Sequence, residues 1–133
     1  MHRRQRLFEA VSPYHGRLLI YVWAIEQDYL SKRKIPVNAG SSSTGQDVLV
    51  PWVHTSCVRH AADEQVTPQI YNRYYHMFAK GELSQLVQSA AEKLGLELGA
   101  RPTGGSGRQG VTIVQDGWER SNYYVEVRRW CIL

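Results

Sequence analysis

Gly16-Arg17-Leu18-Leu19-Ile20-Tyr21-Val22-Trp23-Ala24-Ile25-Glu26-Gln27 decides the fold. Leu18 to Trp23 is an unbroken apolar and aromatic run of good β-formers. A strand apolar on both faces suits a central parallel position covered by helices, not a hairpin with one wet face. Just upstream, residues 5–11 read as the tail of a helix. Ser12-Pro13 stops it, because proline disfavours the helical conformation in the residue before it. Helix, short turn and buried strand together are the pattern of an α/β sheet.

Downstream, residues 28–45 are polar and broken by Pro36, Gly40, the Ser41-Ser42-Ser43 run and Gly45, and they predict a flexible insertion. A second such stretch spans 55–69. Over 82–94, Leu83, Leu86, Val87, Ala90 and Leu94 fall on one helical face, with Gly95 as the stop and Lys93 suited to the negative end of the dipole. Residues 99–110 carry five glycines and a proline and predict a flexible connector. Val111–Val114 and Tyr123–Arg128 predict short strands of a hairpin, with Asp116-Gly117 and Ser121-Asn122 between them. Tyr123, Val125 and Val127 would share one face of the last strand, and Tyr124, Glu126 and Arg128 the other.

The 133 residues fit one domain, with 43% hydrophobic and 21% charged residues as in an ordinary globular protein. A net charge of +4 and a pI near 9.2 lean toward a polyanionic partner. The cations cluster at Arg3-Arg4-Gln5-Arg6, Lys32-Arg33-Lys34 and Arg128-Arg129, runs that fit a solvated loop as well as a nucleic-acid contact. Two cysteines give no disulfide framework, and neither a signal peptide nor a membrane-length apolar run is visible, so cytoplasm or nucleus is expected.

Several motifs carry little. Gly104-Gly105-Ser106-Gly107 neither follows a strand nor opens a helix, so it is no phosphate loop. His54, Cys57 and His60 lack a fourth ligand or a recognisable pair spacing for zinc, and no metal site is expected. Pro51 excludes Gln46–Trp52 from a central strand position.

Four blocks in fixed order remain: Gly16–Gln27, Gln46–His54 (QDVLVPWVH), Tyr71–Leu83 (YNRYYHMFAKGEL) and Gly117–Arg129 (GWERSNYYVEVRR). Together they resemble the C-terminal half of the eukaryotic S-adenosyl-L-methionine-dependent tRNA methyltransferases that esterify 5-carboxymethyluridine at the wobble position. The same domain also occurs fused to an AlkB-like oxygenase. The resemblance implies the second half of a Rossmann-like methyltransferase fold, an α/β domain whose terminal hairpin places its last strand beside Leu18–Trp23. It implies S-adenosyl-L-methionine as methyl donor, tRNA as substrate, and a small zinc-binding activator subunit docking on the family's other half.

The resemblance also suggests site residues. Trp23 ends the first strand, where ligands of α/β sheets gather; it either caps the core or offers a flat surface to the uridine or to the methyl group of the donor, a contact at the edge of the cofactor site. Arg73 and His76 would orient the substrate carboxylate, already an anion near neutral pH, so that positioning matters more than a base. In an extended segment the two would point to opposite sides unless a bend intervenes. Asp47, Trp52, Tyr75 and Glu26 would shape the pocket. The chain departs from the family at Pro13-Tyr14-His15-Gly16, where Pro-Gly-Gly is usual, and in its long connector over 99–110. The family's donor loop, its ribose-binding acid and its first four strands have no counterpart. The expectation for residues 1–133 is thus a partial methyltransferase domain, inactive and poorly soluble alone, or alternatively a non-catalytic RNA-binding or regulatory remnant.

Overall fold

Leu18–Trp23 forms, with Arg17, the strand β1 (Arg17–Trp23). A computed structural model describes residues 6–33, 44–54 and 69–133. Before β1 lies the single-turn helix α1 (Arg6–Glu9); after it come β2 (Gln46–His54), β3 (Gln69–Met77), the helix α2 (Glu82–Lys93), β4 (Glu97–Leu98), β5 (Gln109–Glu119) and β6 (Asn122–Cys131). The larger sheet has the order β1-β6-β5-β4 and is mixed: β6 runs antiparallel to β1 and β5, whereas β4 is parallel to β5. The last strand does lie beside β1, in register from Arg17 opposite Arg128 to Trp23 opposite Asn122.

The described sheet is covered on one face. Phe8 of α1 and Leu83, Val87 and Ala91 of α2 close one core with Val111, Val125 and Val127, against which Leu18, Ile20 and Val22 pack. Tyr123, Val125 and Val127 share that inner face. The expectation of a β1 shielded on both faces is therefore corrected for the described residues. β1 is the outermost strand in the order, and its alternate residues Leu19 and Tyr21 are 61% and 48% exposed. α1 does not cover that second face, because Phe8 is drawn to the same apolar pocket as α2.

The hairpin is longer than its apolar runs suggest. Its turn sits at Arg120-Ser121, both with positive φ (47° and 64°), the backbone hand that matches strand twist in a two-residue connection. Asp116-Gly117 lies inside β5, not at a turn: a Cβ at Gly117 would meet the Tyr124 ring on the neighbouring strand. The connector over 99–110 is tied at several points. Arg108 pairs with both carboxylate oxygens of Glu97, and the Gly107 N–H and the Ile132 N–H link it to the chain end and back.

β2 and β3 form a separate antiparallel ribbon, a placement that tolerates Pro51. The ribbon grows from the carboxyl end of β1: the Phe78 N–H donates to the Trp23 carbonyl and the Ile25 N–H to the Phe78 carbonyl. The residues after β1 are held likewise. The Asp28 N–H donates to Ser121 Oγ at 2.7 Å, and the Ala24 N–H and Arg33 guanidinium donate to the Ser121 carbonyl at 3.0 Å. Most of the expected insertions, and Cys57 and His60, lie outside the described residues. Among the described residues no helix is long and apolar enough to cross a membrane, and no cluster of three metal-capable side chains occurs.

Candidate functional site

β3 is extended through Met77, so alternate residues go to opposite faces of the ribbon. Tyr71, Arg73 and Tyr75 share one face with Trp52, Val50 and Val48; Tyr74 and His76 share the other with Leu49 and Asp47. No bend intervenes, and the structure does not bring Arg73 and His76 together.

On the first face, the Tyr75 ring stacks on Trp23 with centroids 4.1 Å apart and planes within 5°. The Arg33 guanidinium lies 4.4 Å from the centroid of the same indole. Two groups that close over one ring must take its two sides, so Trp23 is sandwiched. Arg33 is fixed there by its bonds to the Ser121 carbonyl and to Asn122 Oδ1. Trp23 thus presents an edge, not an open plate. One step further along β3, Arg73 lies over Trp52 at 4.1 Å, and Tyr71, opposite Trp52 in register, has its ring 6.4 Å from the indole. Arg73 is exposed and forms no ion pair or hydrogen bond among the described residues. It is a cation held by its flat face against the Trp52 ring.

On the second face, His76 stands between two carboxylates. Its Nδ1 is 2.6 Å from Asp47 Oδ1 and its Nε2 is 2.7 Å from Glu82 Oε1, a geometry in which the doubly protonated ring can donate to both. Partial burial disfavours the imidazolium, but the two hydrogen bonds and the two negative charges together outweigh it and raise the His76 pKa. Asp47 is held below the usual carboxylate range by the bonds from His76 and Tyr74. Glu82 uses its second oxygen to accept the Ala79 N–H at the start of α2. His76 therefore clamps the ribbon to the helix. Both of its ring nitrogens are engaged by carboxylates, and it lies on the opposite face of the ribbon from Arg73. Gly45 closes the clamp from above: a Cβ there would collide with Glu82 Oε2 and His76 Nε2.

Glu26 lies beyond the end of β1. Its carboxylate accepts the Tyr123 hydroxyl at 2.7 Å, and its carbonyl accepts the Trp118 indole N–H at 3.1 Å. Burial, and then the bond to Glu26 and its charge, push the Tyr123 phenol up to about 12. Sequence reasoning missed Glu82 and Arg33. Glu82 had a signal, an acid in the first turn of a predicted helix; Arg33 sat inside a basic run that reads as solvated.

No family model matches the chain. It is 34% identical over 134 aligned residues, 92% of its length, to the tRNA (carboxymethyluridine(34)-5-O)-methyltransferase of Schizosaccharomyces pombe, and the match falls on that protein's C-terminal half. It is 28% identical over 111 residues, 53% of its length, to the tRNA (carboxymethyluridine(34)-5-O)-methyltransferase alkbh8 of Xenopus tropicalis. The chain spans 47% of the first relative and 17% of the second. The resemblance carried by the four sequence blocks is therefore borne out across nearly the whole chain.

Proposed function

We propose that this chain, kin to the C-terminal half of the wobble-uridine tRNA methyltransferases, forms the substrate side of such an enzyme and acts on the carboxylate of 5-carboxymethyluridine. The similarity over 92% of its length carries this reading. In it, β1, β6 and β5 are the terminal strands of a Rossmann-like methyltransferase sheet, and the ribbon stands at the end of the sheet where β1 and β5 finish, where ligands of such sheets bind. Arg73 grips the uridine carboxylate with its planar fork. The Tyr75–Trp23–Arg33 stack forms the wall beside it, Trp52 fixes the plane of the guanidinium, and Asp47 and His76 hold the ribbon in place. Glu26 closes the far side of the mouth.

S-adenosyl-L-methionine is the methyl donor that this chemistry calls for. The described residues do not make its cradle. Both faces of Trp23 are taken, and no Asp-x-Gly-x-Gly stretch occurs in the sequence. In this reading, donor binding falls to residues outside these 133, and the chain alone does not turn over. That same observation favours a second reading, a non-catalytic RNA-binding module.

The two readings separate when the chain replaces the matching half of the Schizosaccharomyces pombe relative. The substrate-side reading expects the chimera to form the methyl ester on tRNA, measured by mass spectrometry of nucleosides. It expects Arg73→Ala to lower the rate by about 100-fold, the scale of a lost positioning contact. A chimera that folds and binds tRNA but forms no ester would leave the binding module standing. Unchanged turnover in Arg73→Ala would remove Arg73 from the site.

A further inference from the structure

The Arg128-Arg129 pair divides at β6. Arg129 turns inward, is 9% exposed, and donates to the Phe8 carbonyl at 2.9 Å and to Gln109 Oε1 at 3.2 Å, a strut between α1 and the sheet. Arg128 turns to the outer face, away from the helices. There it lies directly opposite Arg17 on β1 and Thr112 on β5. Like charges opposite one another across an antiparallel pair are destabilising. Arg17 finds Glu126 at 3.4 Å, the acid that shares this face. Arg128 and Arg101 are exposed and make no ion pair or hydrogen bond among the described residues.

These two cations border a cavity of about 420 Å³ that Tyr14, Thr112 and Trp130 also line. Its floor is fixed. The Thr112 hydroxyl and the Trp130 indole N–H both donate to the Gly99 carbonyl, at 2.7 and 2.9 Å, which secures the start of the loop carrying Arg101. Guanidinium groups without internal counter-ions, beside an exposed tyrosine and over this fixed floor, suit phosphodiester oxygens. The site sits at the amino end of β1, about 20 Å from Trp23 at the 3.3 Å rise of a strand.

We infer that the outer-face cluster of Arg17, Arg101 and Arg128 is a second RNA contact, gripping the phosphate backbone of the tRNA at a distance from the wobble base. The inference rests on the tRNA reading above and adds a site to it. Backbone contacts orient an RNA without reading its sequence, and they release counter-ions. Two anchors some 20 Å apart would fix the direction in which the substrate approaches the ribbon.

The test is binding of the full chain to an unmodified tRNA transcript across a salt series, with inorganic phosphate as a second probe. The inference expects Arg101→Ala/Arg128→Ala to weaken binding by tenfold or more at low salt. It expects the slope of log affinity against log salt to fall by about two, roughly one per lost phosphate contact. Arg101→Lys/Arg128→Lys should keep the slope, and Lys93→Ala, at the exposed end of α2, should change nothing. The melting temperature should not fall in any of these variants, since neither arginine bonds within the fold and loss of Arg128 relieves its repulsion with Arg17. Wild-type chain with no tRNA affinity, a double alanine variant with unchanged slope, or an equal loss in Lys93→Ala would each overturn the inference. So would phosphate binding that is lost in the double variant while tRNA affinity persists. A reduced slope alongside a chimera that forms no ester would refute only the wobble-methylation reading.

Discussion

His76 holds Asp47 and Glu82 at once, and that gives the ribbon a pH-dependent attachment. Its pKa is raised on folding, so its contribution to stability is complete below the unfolded value of about 6.5 and is lost as pH rises through the higher folded value. Asp47 has the opposite sign: its pKa is lowered, and its contribution is lost only as pH falls through that lowered value. The clamp is thus strongest in the weakly acidic range. Melting temperature followed from about pH 5 to pH 9 should fall on the alkaline side, and His76→Gln should flatten that fall. An identical alkaline slope in the variant would mean that the clamp does not contribute.

At the scale of elements, the hairpin turn carries unusual strain and unusual responsibility. Arg120 takes a left-handed conformation that costs a side-chain-bearing residue about 1 kcal/mol. Arg120→Gly should recover most of that and raise the melting temperature by about 3–5 °C. Ser121, 1% exposed, receives the Asp28 and Ala24 N–H groups and the Arg33 guanidinium. Ser121→Ala leaves the half-buried Asp28 N–H without its Oγ acceptor and should cost about 1 kcal/mol, loosening the arm that carries Arg33 to Trp23. Tryptophan fluorescence should report that loosening; an unchanged spectrum with equal stability would contradict it. The sequence was informative about β1 and α2, whose apolar patterns are strong, and about which residues of β6 face inward. Of the two turn-prone pairs it offered between the hairpin strands, Ser121-Asn122 overlaps the turn at Arg120-Ser121, whereas Asp116-Gly117 lies within β5 and admits the Tyr124 ring. The sequence left the ribbon's function ambiguous because alternation separates Arg73 from His76, while Glu82, one partner of His76, comes from α2 and Arg33, one partner of Trp23, from a loop after β1. Those long-range contacts leave no local period to read.

For the whole molecule, the outer face and the free edge of β1 are the exposed features of consequence. Leu19 and Tyr21 lie on that face, and among the described residues β1 pairs only with β6. Open edges with apolar faces invite association. The isolated chain should therefore self-associate at working concentrations, and Leu19→Lys/Tyr21→Lys should shift it toward monomer in light scattering. A monomeric wild-type chain would contradict this. The central claim, that Arg73 grips the carboxylate of the wobble uridine, has a more direct test in this chain alone. Its affinity is to be measured for two anticodon stem-loops, one carrying 5-carboxymethyluridine and one its methyl ester. A hydrogen-bonded charge pair contributes about 1.5–3 kcal/mol, so the acid should bind about 10- to 100-fold more tightly than the ester. Arg73→Ala should erase the difference. Equal affinity for acid and ester in the wild-type chain, or a preference that survives Arg73→Ala, would contradict the account.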